Sequence, residues 1–257
     1  MPTSLTFDQH LAGLERAAGR LAYHGAHSAP DAPVPTCPGW TQDELLVHQS
    51  VIHRWAEANL RGRRDGGPGE DDVRAAPDRI AYFLEGYRAL AATLVQADPE
   101  LEAAVFLNDA PPPRHFWARR QCHETTIHSV DALAADRGRV PAAEDCAIDR
   151  QFAVDGIDEL LTGFVTRSAT RIHPGSGRTI AVVPSDSDRA WVLRSEDKLV
   201  TTPLTSSAPA VSDADTTFSG TAAQLYLGLW NRGDEIVETG DPRVLDLWRD
   251  TEHVTWS

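Results

Sequence analysis

Apolar residues recur at three- and four-residue steps throughout the first half of the chain, whereas in the second half short runs of branched and aromatic residues come between the helical stretches. This change of period constrains the fold more than any other feature. Residues 7 to 23 place Phe7, Leu11, Leu14, Ala18 and Leu21 on one stripe, the pattern of an amphipathic helix. APDAPVPTCPGW, residues 29 to 40, interrupts it with four prolines and a glycine. Thr41 with Glu44 three residues on then reads as a capping box, after which Leu45, His48, Ile52 and Trp55 descend one face. His48 is therefore expected to point inward. A third segment, 78 to 96, carries Ile80, Phe83, Leu84, Tyr87, Leu90 and Leu94, and a fourth, 114 to 135, carries Trp117, Glu124, His128 and Asp131. Four amphipathic segments joined by loops suggest an antiparallel bundle, whose interior is a common place for metal ligands from facing helices.

The character changes at DRGRVPAAEDC, residues 136 to 146, a charged, proline-containing boundary. Residues 150 to 165 read as helix. RTIAVVP, RAWVLRS and KLVTTPL follow as short runs of branched and aromatic residues between turn signals, and ADTTFSG and DEIVETG read the same way. TAAQLYLGLWNRG and DPRVLDLWRD return to helical spacing. Strands and helices without regular alternation predict a small α+β domain after the bundle, so the fold class is α+β with domains at 1–140 and 141–257. A chain of 257 residues is long enough for two such cores.

The motif HETTIHSVD, 123 to 131, sets two histidines around a glutamate. His123 and His128 are five apart, so at ~100° per residue they diverge by roughly 140°, and the metalloprotease arrangement of histidines four apart fails on geometry. Glu124 and His128, four apart, share a face, with Asp131 three residues further along it. One inward histidine on the second helix and an inward Glu-x-x-x-His on the fourth make two imidazoles and one carboxylate. That set suits Zn²⁺ or another borderline divalent metal and leaves coordination positions open for catalysis or ligand capture. The expected ligands are His48, Glu124 and His128. Asp131 is placed either to fix the His128 ring or to form a simple surface pair, and His53 and His123 fall off the face.

Charge and cysteine content narrow the remaining classes. A net charge of -14 repels nucleic acid phosphates and anionic membranes, so neither is an expected partner. The N-terminus lacks a basic segment followed by a long apolar one, and three cysteines without C-x-x-C spacing form no disulfide framework. A cytoplasmic location is expected.

TCPGWTQDELLVHQSVIHRWA (36 to 56) followed by RRQCHETTIHSVDALAA (119 to 135) resembles the mycothiol-dependent maleylpyruvate isomerase family, a branch of the DinB-like metal-binding four-helix bundles. The ending, 213 to 250, is similar to that family's sterol-carrier-like C-terminal domain. The resemblance assigns His48, Glu124 and His128 as ligands of a divalent metal, Zn²⁺ being the expected ion. It implies mycothiol as thiol cosubstrate or cofactor and a small electrophile as substrate. It also makes Arg232 in LWNRG the nearest counterpart of an arginine implicated in activity. A thiol bound to such a metal loses its proton near neutral pH, and attack on an electrophile gives either cis-trans isomerisation or thiol S-transfer. The same ligands with water in the open position would make a hydrolase, with His123 or His53 as base. A third reading is a non-catalytic small-molecule binding protein.

Overall fold

The computed structural model describes residues 5–63, 66–167 and 177–251. The chain divides into two compact units. One comprises Thr6–Phe106 and Pro111–Pro141; the other takes in Leu107–Ala110 and the chain from Ala142 onward.

The first unit is helical: α1 (Phe7–His27), α2 (Gln42–Leu60), the short α3 (Glu70–Arg74), α4 (Arg79–Gln96) and α5 (Pro113–Arg137). Local chemistry sets where the long helices begin. Thr6 and Gln9 exchange side-chain and backbone hydrogen bonds at the start of α1, Thr41 and Glu44 do the same for α2, and the Asp78 carboxylate accepts from Ala81 N at α4. Each cap satisfies an N–H that the helix itself leaves without a partner, worth about 1 kcal/mol. α5 begins with Pro113 at its first position and ends at Gly138, whose φ of 63° is open to glycine at no steric cost. α1 packs on α5 and α4, and α2 packs on α4 and α5. Ala18, Leu21, Leu45, Leu46, Phe83 and Ala132 form a core between them, each large side chain contributing ~1.5–3 kcal/mol by burial.

α5 departs from the expected amphipathic pattern. Every residue from Phe116 to Ala135 is buried, so this helix has no solvent face. Several of its polar side chains find partners inside the unit: Thr125 with Gln49 and His53, Arg120 with Glu124, and His128 with Asp131.

The second unit is α+β, in agreement with the sequence reading. After a 3₁₀ turn at Ala143–Cys146, α6 (Arg150–Asp158) runs into a π-helical turn at Glu159–Phe164. The chain then forms β1 (Thr179–Pro184), β2 (Arg189–Ser195), β3 (Leu199–Thr205), α7 (Pro209–Ser212), β4 (Thr216–Gly220), α8 (Ala222–Leu229), β5 (Val237–Gly240) and α9 (Val244–Thr251). The strands make one five-stranded sheet in the order β3-β2-β1-β4-β5. Only β1 and β4 pair in parallel, with Val182 beside Trp191 on one side and Phe218 on the other. Alternation along the strands sorts side chains between the faces: Ala181, Ala190 and Val192 pack with Val211 of α7, while Trp191 reaches α6 and donates its indole N–H to Asp158 at 2.9 Å. Among the described residues no helix is long and apolar enough to cross a membrane. Among the described residues Cys37, Cys122 and Cys146 form no disulfide.

Candidate metal centre

The Thr41–Glu44 box fixes the register of α2, which places His48 two turns in. Glu124 and His128 lie one turn apart on α5, and the α2–α5 contact brings the three side chains together. Glu124 Oε1 is 3.5 Å from His48 Nε2 and 3.3 Å from His128 Nε2, and the two imidazole rings meet edge to face with centroids 5.0 Å apart. Charged N–H···O⁻ hydrogen bonds are shorter, ~2.7–2.9 Å. Donor atoms held ~2.0–2.1 Å from one tetrahedral ion are instead roughly 3.4 Å from each other, close to the spacing found here. His48 Nε2 and Glu124 Oε1 are moreover buried and without a hydrogen-bond partner among the described residues. Leaving such atoms unmatched costs about 1–3 kcal/mol each, a cost that a shared cation removes. The donor set and its spacing fit a divalent metal.

The groups around this trio fix its orientation and charge. His128 Nδ1 donates to Asp131 Oδ2 at 2.9 Å, and Thr36 Oγ1 donates to Asp131 Oδ1 at 2.6 Å. With its proton on Nδ1, neutral His128 keeps the Nε2 lone pair for an ion. Burial opposes charge on His128, but the Asp131 and Glu124 carboxylates outweigh it and lift the imidazole to about 9, so without an ion the ring is protonated at neutral pH and a bound ion would displace the Nε2 proton. Burial would raise Glu124, yet His128, His48 and Arg120 hold its carboxyl well below the usual range. Burial lowers His48. Arg120, fully buried one turn before Glu124, donates from Nη2 to Oε2 at 2.8 Å.

One wall comes from the loop before α2. Val34 N donates to Trp40 O at 2.9 Å and Trp40 N donates to Cys37 O at 3.1 Å, which folds TCPGW into a tight turn. The half-buried Trp40 ring lies parallel to His128, 9° between planes at 6.1 Å, and edge-on to His48 at 5.0 Å.

The other histidines singled out by the motif are placed differently. His53 is fully buried, its Nε2 2.8 Å from Thr125 Oγ1 and its ring stacked on Phe83 at 5.3 Å; burial lowers it to about 3. His123 is also fully buried, with its ring 6.1 Å from that of His10, whose Nδ1 lies 3.0 Å from His115 Nε2. Arg232 belongs to the α+β unit, just after α8, where it is half-buried and its Nη1 donates to Trp230 O at 2.8 Å. Of the residues around the trio, Asp131 was legible from its spacing, and Arg120 could have been found as the residue four before Glu124. Thr36 could not, because 95 residues separate it from Asp131.

Residues 10–133 match the family model described as the mycothiol maleylpyruvate isomerase N-terminal domain, and residues 151–247 match the one described as the MDMPI C-terminal domain. No curated protein matches the sequence. A crystal structure of the mycothiol-dependent maleylpyruvate isomerase superposes with a TM-score of 0.61 at 15% identity, over 93% of this chain and 96% of that one. A histidine-to-alanine mutant of that enzyme gives 0.58 at 16% identity over the same shares. At these identities the likeness speaks for the fold alone.

Proposed function

The chain belongs to the mycothiol maleylpyruvate isomerase family, and from that premise we propose that it is a metal-dependent, mycothiol-dependent enzyme acting on a small electrophile. The observation that carries the metal part of this reading is the trio itself: His48 Nε2, Glu124 Oε1 and His128 Nε2 lie within 4.8 Å of one another, with two of these atoms buried and otherwise unpartnered among the described residues. A divalent ion held there would offer an open position at which a thiol, pKa ~8.5 when free, loses its proton at neutral pH.

The chain's own residues define the rest. Asp131, itself held by Thr36, accepts the Nδ1 proton of His128 and keeps the ring aimed. Arg120 takes the second oxygen of Glu124. Trp40 supplies an apolar wall beside both imidazoles, a surface against which the carbon skeleton of a thiol or its substrate can pack.

For isomerisation, the thiol sulfur adds to one carbon of an electron-poor cis alkene, the former double bond rotates as a single bond, and elimination of the thiol restores a trans alkene. No atom is gained or lost. With an epoxide or an activated leaving group the same attack ends in S-transfer. Isomerisation of a maleylpyruvate-type diacid is the reading that the family favours. For the hydrolase alternative, His53 is a poor base, since burial, which lowers it to about 3, disfavours its taking up a proton and its Nε2 faces Thr125.

The test is elemental analysis followed by Co²⁺ substitution and titration with mycothiol. About one divalent ion per chain and a sulfur-to-cobalt charge-transfer band are expected. Protein that carries no metal and cannot be loaded would sink the mechanism. Arg232, assigned by resemblance, is proposed to act on the substrate side. Its replacement by alanine should lower turnover with metal content unchanged, and undiminished turnover would remove it from the machinery.

A further inference from the structure

The two oxygens of Glu124 are used differently. Oε1 faces both imidazole nitrogens, 3.5 Å from His48 and 3.3 Å from His128, whereas Oε2 accepts a hydrogen bond from Arg120 Nη2 at 2.8 Å. A carboxylate can bind an ion through one oxygen or through both. Each choice leaves a different number of coordination positions for other ligands, and nothing in the His-Glu-His set alone decides between them.

We propose that Arg120 is a positioning residue that confines Glu124 to a single metal-binding oxygen and so reserves the open coordination position for the thiol. The inference rests on the metal-dependent reading given above. Three observations support it. The Arg120 side chain is fully buried, and Glu124 is nearly so, so the pair is shielded from water and its charge-assisted bond is strong. Guanidinium cannot shed its charge in a protein, so releasing Oε2 to an ion would break a buried, charge-assisted hydrogen bond between Arg120 and Glu124. Both residues lie on α5 one turn apart, so the backbone itself sets the distance between them, and no loop movement can separate them. A lysine there would offer a point charge on a more mobile stem rather than a planar fork and is expected to hold the carboxylate less firmly.

The experiment compares wild type, Arg120→Met and Arg120→Lys, each loaded with Co²⁺ and titrated with mycothiol. All three are expected to bind about one Co²⁺ per chain. In Arg120→Met the second oxygen of Glu124 turns to the ion. Its visible cobalt bands then weaken, as they do on going from four to five coordination, and the thiol charge-transfer band requires at least tenfold more mycothiol. Arg120→Lys should recover part of both signals, which a purely structural role for the arginine would not predict. An Arg120→Met protein with wild-type cobalt bands and wild-type thiol affinity would overturn the proposal while leaving the metal reading intact. Wild type that binds no cobalt overturns both. Should Arg120→Met fail to fold, a crystal structure of the metal-loaded wild type decides the matter: one Glu124 oxygen on the ion supports the proposal, and two refute it.

Discussion

A neutral imidazole buried at the α2–α5 contact makes folding sensitive to acid. His53 titrates near 6.5 in an unfolded chain and is held at about 3 by burial in the folded one. Between those values the unfolded state binds more protons. Full stability is therefore present above ~6.5 and is lost progressively as the pH falls toward about 3. From pH 7 to pH 5 this amounts to about 2 kcal/mol. Urea unfolding of metal-free protein should show that loss in the wild type and should show it diminished by the same amount in His53→Gln, because the other titrating groups cancel in the comparison. An equal pH dependence in both proteins would mean that His53 is not held neutral. At the same scale, Asp131→Asn should weaken metal binding by roughly 10- to 100-fold without abolishing it, read by competition with a chelator, since the variant keeps all three ligands and loses only the anion behind His128. The sequence could suggest Asp131 because helical spacing is a local rule. It could not suggest its partner Thr36, which a loop brings from 95 residues away.

The helices and strands were legible for the same reason: capping boxes, proline breaks and residue periods act over a few positions. The Thr41–Glu44 box is present as expected, with the Glu44 carboxylate accepting from Thr41 N at 2.7 Å. α5 was misjudged as amphipathic because its interior is polar. Burial on every side cannot be read from a helix whose Arg120, Thr125 and His128 pair with Glu124, with Gln49 and His53 of α2, and with Asp131. The strand order was equally hidden, since the parallel β1–β4 pairing joins segments more than 30 residues apart in the chain and depends on packing rather than on local pattern. In that sheet Gly240 is a position where the backbone admits only glycine. Gly240 pairs with Thr216 at φ +103°, and a Cβ there would lie 2.2 Å from the Asp215 carbonyl oxygen. Gly240→Ala should therefore destabilise the α+β unit by at least ~2 kcal/mol, from backbone strain and overlap together. Denaturant unfolding followed by the fluorescence of Trp191 and Trp248, both buried in that unit, measures it, and a change under ~0.5 kcal/mol would mean that the β4–β5 edge is looser than described.

For the molecule as a whole, the switch from a helical to an alternating period foretold a helical unit and an α+β unit, and each is present with its own core. Because the chain contains two such units, a single unfolding free energy is not assured, and a metal on the helical unit need not move both transitions equally. An ion that binds only the folded trio stabilises it by about 2.7 kcal/mol at a hundredfold excess over Kd. At ~2–4 °C per kcal/mol for a protein of this size, that corresponds to a rise in Tm of roughly 5–10 °C. Differential scanning calorimetry with Zn²⁺ and then with a chelator should show that shift. His128→Ala should melt at a temperature that neither addition changes, since removing one of three ligands abolishes the differential affinity on which the shift depends. A metal-induced rise that persists in His128→Ala would place the responsible ion on other residues. A wild type indifferent to both additions would leave the buried nitrogen of His48 and oxygen of Glu124 to be explained without a cation.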